Sequence, residues 1–157
     1  MRRQTLAVFG AVAMSAALVF AAVAIAEPIK GTHGDDVLTG TEADDHIVAK
    51  KGNDQASGLA GNDNITGNKG DDVLNGDDGD DVLTGNQGAD ELNGGAGNDL
   101  IKARGGGKTA DTITCGEDAD TLDDDSDTVL ADRDDVVAAD CENVELTGSG
   151  KPHPPHP

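Results

Sequence analysis

Aspartate returns every nine positions through the middle of this chain. Carboxylates at a fixed interval are hard oxygen ligands that a repeating fold brings into rows. Calcium takes six to eight such oxygens in a tolerant geometry, whereas magnesium demands a strict octahedron and zinc prefers His and Cys. The spacing therefore predicts calcium binding. The predicted ligands are Asp36, Asp45, Asp54, Asp63, Asp72, Asp81, Asp90 and Asp99.

Each of these aspartates is the sixth residue of a nine-residue unit that repeats eight times without a gap over residues 31–102. The first position is Gly except at Ala49, the fourth is Gly except at Ala43, and the eighth is aliphatic throughout. Because glycine permits positive φ, the first half of each unit is predicted to be a turn. The second half suits a very short strand with one side chain inward.

A unit with one aliphatic side chain cannot bury it alone, so the copies must stack. Two units per coil predict an all-β parallel β-solenoid with strands on two opposed faces and turns along two edges. Like charges would line each edge, so we expect the chain without a cation to be marginally stable or unfolded. One edge would hold Asp36, Asp54, Asp72 and Asp90, and the other Asp45, Asp63, Asp81 and Asp99.

The pattern G-x-x-G-[DN]-D-x-[LI]-x closely resembles the nonapeptide of hemolysin-type calcium-binding (RTX) proteins. The resemblance implies a right-handed parallel β-roll in which six residues of each unit form the calcium turn and three form the strand. It also implies that each ion lies between units n and n+2, which gives about six Ca²⁺ ions. The third unit, with Ala49 and Ala56, is expected to be a weak layer.

Residues 1–26 have the pattern of a secretory signal peptide. A basic pair, Arg2 and Arg3, precedes an uncharged apolar stretch and a small-x-small site ending at Ala26. A membrane anchor is the alternative, but the cleavage site favours removal, and Sec and twin-arginine export both stay open. The pattern predicts a secreted protein with no membrane span after cleavage, beginning with a short leader at 27–30.

After Lys102 the period breaks and then resumes loosely, so residues 103–147 are predicted to be degenerate coils that cap the solenoid. The glycine-rich stretch 105–107 is interpreted as an insertion loop rather than a phosphate loop. Asp111 and Asp120 are added here to the predicted calcium ligands. The loosely repeated pairs are Asp111 with Ile113, Asp120 with Leu122, Asp127 with Val129, and Asp135 with Val137.

An EF-hand is an alternative interpretation of one part of this region. Asp123, Asp125, Asp127 and Asp134 have suitable spacing, but Thr128 stands where that loop needs glycine. A degenerate turn of the nonapeptide type is the favoured interpretation.

Cys115 and Cys141 are the only cysteines. In an exported chain such a pair predicts a disulfide, here one that closes the cap, and a catalytic thiol is the alternative. Residues 148–157 are rich in Pro and predict an extended, disordered tail, although His153 and His156 also suit weak binding of a transition metal.

Composition narrows the function classes. With 31 acidic and 11 basic residues the net charge is −20, which argues against nucleic acid as a partner. Both phenylalanines lie in the predicted signal peptide, and no nucleophile–base pattern is found, so we expect no enzyme. The leading hypothesis is a secreted calcium-binding protein that folds on binding. The alternative is an extracellular adhesive or matrix module in which calcium is only structural, with its protein or glycan partner unspecified.

Overall fold

The computed structural model describes residues 28–105, 109–116 and 126–147. Every regular element in these ranges is a β-strand. The strands are β1 (Ile29–Lys30), β2 (Val37–Thr39), β3 (His46–Lys51), β4 (Gln55–Ala60), β5 (Asn64–Lys69), β6 (Val73–Asp78), β7 (Val82–Gln87), β8 (Glu91–Ala96), β9 (Leu100–Lys102), β10 (Thr112–Thr114), β11 (Thr128–Asp132), β12 (Val136–Val137) and β13 (Asn143–Thr147).

The strands alternate between two parallel sheets. One sheet has the order β1-β3-β5-β7-β9-β11-β13, and the other has the order β12-β10-β8-β6-β4-β2. Through the repeats each residue pairs with its equivalent two units later, as Ile65 with Leu83 and Leu74 with Leu92. The predicted parallel β-solenoid with two units per coil is confirmed.

The strands of the middle coils are longer than predicted. Each strand from β3 to β8 has six residues, because it continues from the last three positions of one unit into the first three of the next. The division into a six-residue turn and a three-residue strand is therefore wrong in this detail. Each long strand has two inward positions, the eighth and the first. The first position is inward and buried, so it accepts only glycine or a small side chain such as Ala49.

Two rows of aliphatic side chains form the core between the sheets. Ala56 contributes the smallest side chain of its row. Leu38 and Val137, at the two ends of that row, are only partly buried. The fully enclosed members are Ile47, Ile65, Leu83, Ile101 and Val129 from one sheet, and Ala56, Leu74, Leu92 and Ile113 from the other.

The C-terminal coils continue both sheets although the repeat length changes. Ile113 pairs with Leu92, and Val129 pairs with Ile101, so both inherit core positions. Cys115 and Cys141 form the predicted disulfide. The core positions of the degenerate repeats are thus confirmed, apart from Leu122, which lies outside the described residues.

Several predictions fall on parts of the chain that the structure does not describe. These are the signal peptide 1–26, the first residue of the leader, Asp120 and the tail 148–157. No helix long and apolar enough to cross a membrane is found within residues 28–105, 109–116 and 126–147.

Candidate metal-binding turns

The sixth-position aspartates form two rows at the edges of the solenoid, as predicted. The backbone N–H of each one donates to Oδ1 of the aspartate one coil further along, as Asp54 does to Asp72 at 2.9 Å. We call this series the inner ladder. One edge links Asp36, Asp54, Asp72, Asp90, Asp111 and Asp135, and the other links Asp45, Asp63, Asp81, Asp99 and Asp127.

A second ladder runs beside the first in the opposite direction, and the sequence analysis missed it. The fifth-position side chain accepts from the N–H of the fifth residue one coil further, as Asp35 does from Asn53 at 2.8 Å. The same bond recurs along both edges on the exposed side. Its signal was present, since the fifth position is Asp or Asn in every unit except at Ala89.

The second carboxylate oxygen of the inner ladder is the chemically significant atom. In seven aspartates Oδ2 is buried and has no hydrogen-bond partner in the structure. A buried carboxylate oxygen without a donor or a cation is strongly unfavourable, because the water that solvated it in the unfolded chain has been removed. The seven are Asp54, Asp63, Asp72, Asp81, Asp90, Asp99 and Asp111.

A backbone carbonyl of the next coil lies beside this oxygen. A Cβ placed on Gly58 would overlap Asp63 Oδ2 and would lie 2.7 Å from the carbonyl oxygen of Gly76. On Gly94 it would overlap Asp99 Oδ2. A carboxylate and a carbonyl oxygen thus converge over the same glycine Cα, and both are ligand types that calcium prefers. Among the described residues, no three His, Cys, Asp or Glu side chains form a metal-binding group.

Glycine occupies the first and the fourth position of the unit for different physical reasons. Six of the seven fourth-position glycines adopt positive φ, for example 117° at Gly70, and Gly34 in the first unit does not. First-position glycines such as Gly58 do not have positive φ and are required there by the close approach of neighbouring atoms. Positive φ is instead found at the second position, at Lys50, Leu59, Asn68, Asp77 and Asn86.

Burial shifts the acidity of this row of carboxyl groups. The pKa of Asp72 and of Asp81 is raised to about 6, chiefly by desolvation on burial and also by the negative charge of neighbouring aspartates, against the lowering effect of a backbone hydrogen bond. The same causes raise the pKa of Asp99 and Asp111 to about 7. The row therefore holds its negative charge poorly unless a cation compensates it.

Comparison with known proteins identifies the family of this repeat. The model of the RTX calcium-binding nonapeptide repeat matches four times, at residues 26–56, 51–83, 66–101 and 84–122. The chain belongs to the RTX calcium-binding repeat family. No curated protein and no solved structure matches it.

Membership of this family indicates which cation the unpaired Oδ2 atoms would bind. RTX repeats bind calcium, so this chain carries a calcium-binding β-roll. The donor set fits the ion, because the buried Oδ2 atoms lack a partner and stand beside carbonyl oxygens. Calcium held by the seven aspartates with unpaired Oδ2 atoms and by the turn carbonyls would supply the missing positive charge.

The remaining candidates lie apart from these turns. Both cysteines are disulfide-bonded, so neither is a free thiol. The EF-hand alternative cannot be assembled from the described residues, because Asp123 and Asp125 lie outside them. Asp127 belongs to the inner ladder, where its Oδ1 accepts the N–H of Asp99 at 2.8 Å.

Proposed function

We propose that the protein is a secreted calcium-binding protein whose β-roll folds when calcium enters the turns. The observation that carries the proposal is the set of seven buried Oδ2 atoms without a partner. The three intervals along each predicted edge suggest about six ions, held by carboxylate and carbonyl oxygens.

The argument for coupled folding is electrostatic. In the unfolded chain each carboxylate is hydrated, whereas folding removes that water and stacks the carboxylates at the strand spacing of about 4.8 Å. Desolvation and mutual repulsion therefore oppose folding of the metal-free chain. A cation that binds only the folded turns offsets both effects and stabilises the folded state in proportion to its concentration and affinity.

Two features support export. The predicted signal peptide directs the chain out of the cytoplasm. The disulfide between Cys115 and Cys141 is of the kind that persists in oxidising compartments. We place the folded protein outside the cell, where calcium is the divalent cation its turns would meet.

The proposal assigns no catalytic activity. The described histidines, His33 and His46, are exposed, and both cysteines are disulfide-bonded. The buried carboxylates use one oxygen to accept a backbone N–H, so their geometry is that of ligands and structural acceptors.

Far-UV circular dichroism of the chain without residues 1–26, titrated with calcium and separately with magnesium, tests the proposal. We expect a cooperative gain of β signal with calcium and little gain with magnesium. A coil-like spectrum at millimolar calcium would contradict calcium-driven folding. A β-rich spectrum in excess chelator would make calcium an accessory and favour the adhesive or matrix alternative.

A further inference from the structure

The first coil of the roll, formed by the units 31–39 and 40–48, differs from the later coils in the hydrogen bonds that its aspartates accept. The backbone N–H and the hydroxyl of Thr32 both donate to Asp36 Oδ2, at 2.6 and 3.0 Å. Those of Thr41 donate to Asp45 Oδ2 at 2.6 and 2.9 Å. The oxygen that is orphaned in seven later turns therefore has two donors in each of these.

The backbone explains how the threonines reach the carboxylates. From the third unit onward, the second residue of the unit has positive φ and lies within a long strand, as Lys50 does in β3. Thr32 and Thr41 lack positive φ, and the strands before them end early, at Lys30 and Thr39. Free of the strand, each threonine folds over the carboxylate of its own unit.

The opposite end of one edge is closed in a related way. Asp135 accepts the N–H of Asp111 at Oδ1 and the N–H of Asp132 at Oδ2, the latter at 2.6 Å. Both of its oxygens are satisfied by the chain itself. On this edge the run of orphaned oxygens begins at Asp54 and ends at Asp111, with a satisfied aspartate beyond each end.

We infer that Thr32 and Thr41 replace the cation in the first coil, so that Asp36 and Asp45 are not calcium ligands. Calcium sites then begin at Asp54 on one edge and at Asp63 on the other. An ion at the first coil would have to displace two hydrogen bonds to a charged acceptor, which are among the stronger ones in proteins. This inference rests on the proposed function, since it concerns the same row of turns.

The hydrogen bonds of Thr32 and Thr41 lie at the end of the stack, where they have a physical effect. Among residues 28–105, 109–116 and 126–147 no coil precedes the first, so an ion there would stand at the open end of the described stack. Donors from the chain itself satisfy the terminal carboxylates without a bound ion. The first coil is thus a metal-independent end cap, in keeping with the atypical terminal units of stacked repeats.

Two matched pairs of variants test the inference by counting calcium ions. Asp45→Asn and Asp63→Asn change the same unit position on neighbouring coils of one edge, and Asp36→Asn and Asp54→Asn do so on the other. Bound calcium at saturation is measured by isothermal titration calorimetry and equilibrium dialysis. Circular dichroism in saturating calcium reports the fold of each variant.

We expect Asp36→Asn and Asp45→Asn to bind as many ions as the wild type. Asp54→Asn and Asp63→Asn should each bind at least one ion fewer. Loss of an ion in a folded Asp36→Asn or Asp45→Asn variant would overturn the inference. If Asp45→Asn does not fold, Asp36→Asn decides, because Asp36 is only half-buried in the outermost coil.

The wild type separates this inference from the proposed function. If the wild type binds no calcium, the proposed function fails and the inference falls with it. If the wild type binds calcium and folds with it, but the first-coil variants lose ions, the assignment of the threonines alone is wrong.

Discussion

The first coil and the middle coils of the roll are built from the same nine-residue unit, yet they satisfy its aspartate in opposite ways. In the first coil Thr41 gives both of its donors to Asp45, whereas one coil later Oδ2 of Asp63 has no donor. The aspartate is the same residue at the same position of the unit, although Asp45 is the first member of its ladder and Asp63 the second. What differs is the second residue of the unit, which either folds over the carboxylate or joins the sheet.

Sheet pairing explains why the two forms are exclusive. Lys50 pairs with Asn68, and Asn68 with Asn86, so the second position of the middle units belongs to a parallel ladder. Thr32 and Thr41 take no part in the described strands. A residue held in the sheet cannot also turn its N–H toward its own aspartate. Within units three to eight, a long strand therefore comes with a carboxylate oxygen that has no donor.

The largest expected effect on the middle coils, whose carboxylates lack donors, is that of low pH on the stability of the calcium-free chain. Burial raises the pKa of Asp99 and Asp111 from 3.8 to about 7, so the folded chain holds more protons than the unfolded one. The resulting stability is complete below about pH 4 and is lost as pH rises through about 7. In calcium-depleted buffer, we expect the β signal in circular dichroism to grow as pH falls from 8 to 5.

Asparagine variants check the source of this pH dependence. Asp99→Asn cannot ionise, so its folding midpoint should move to higher pH, whereas Asp78→Asn removes the same charge from an exposed side chain and should move it less. A β signal that falls on acidification would contradict the prediction.

The next effect compares two fourth-position glycines on the same edge. Gly70 has φ of 117°, and a Cβ there would overlap the carbonyl oxygen of Gly52, whereas a Cβ on Gly34 would meet nothing within 4 Å. Gly70→Ala should cost about 2 kcal/mol or more, since the left-handed conformation alone costs 1–2 kcal/mol. Gly34→Ala should be nearly neutral. Urea denaturation in saturating calcium measures both, and equal losses would remove the distinction between the coils.

An effect of similar size is expected from truncating the core. Leu74→Ala, in a middle coil, removes a fully buried side chain and should destabilise the roll by about 2–5 kcal/mol. Leu38→Ala, at the same unit position in the first coil, should cost clearly less because Leu38 is only partly buried. Thermal unfolding in saturating calcium provides the comparison. A larger loss at Leu38 would mean that the first coil, not the middle, holds the stack together.

The smallest effect concerns the threonine hydroxyl. Thr41→Val removes one of the two donors to Asp45 and should cost about 1 kcal/mol, as loss of a capping hydroxyl does elsewhere. Thr84→Val is the matched control, because no hydrogen bond of the Thr84 hydroxyl is found among the described residues. Urea midpoints at saturating calcium measure the difference. Equal midpoints would show that the backbone N–H alone caps the first coil.

The fold was largely predictable because its cause is the spacing itself. The aspartates at position six and the aliphatic residues at position eight specify two residue rows, and the solenoid follows from stacking them. The long strands were missed because residues such as Asn68 and Asp77 have low strand propensity and positive φ, yet pair in the sheet once the neighbouring coil is present.

The sequence predicted which aspartates line the turns, but not that those of the first coil differ from those of the later coils. The sequence shows Asp45 and Asp63 as equivalent, whereas in the structure the hydrogen bonds of Thr41 occupy the Oδ2 atom of Asp45 alone. Threonine occupies the second position in the first two units and in no other unit, so the signal existed. Interpreting it needed the knowledge that the second residue faces its own carboxylate when no strand holds it.

The inner ladder also continues without interruption where the repeat does not. Asp90 and Asp111 are 21 residues apart, and Asp99 and Asp127 are 28 apart, yet their bonds measure 2.9 and 2.8 Å, as in the regular coils. Stacking thus depends on the position of each aspartate at the edge and not on the number of residues that separate it from the previous one. The length of a coil can thus exceed the regular 18 residues, by three before Asp111 and by ten before Asp127, while the hydrogen bond that joins it to the stack keeps its length.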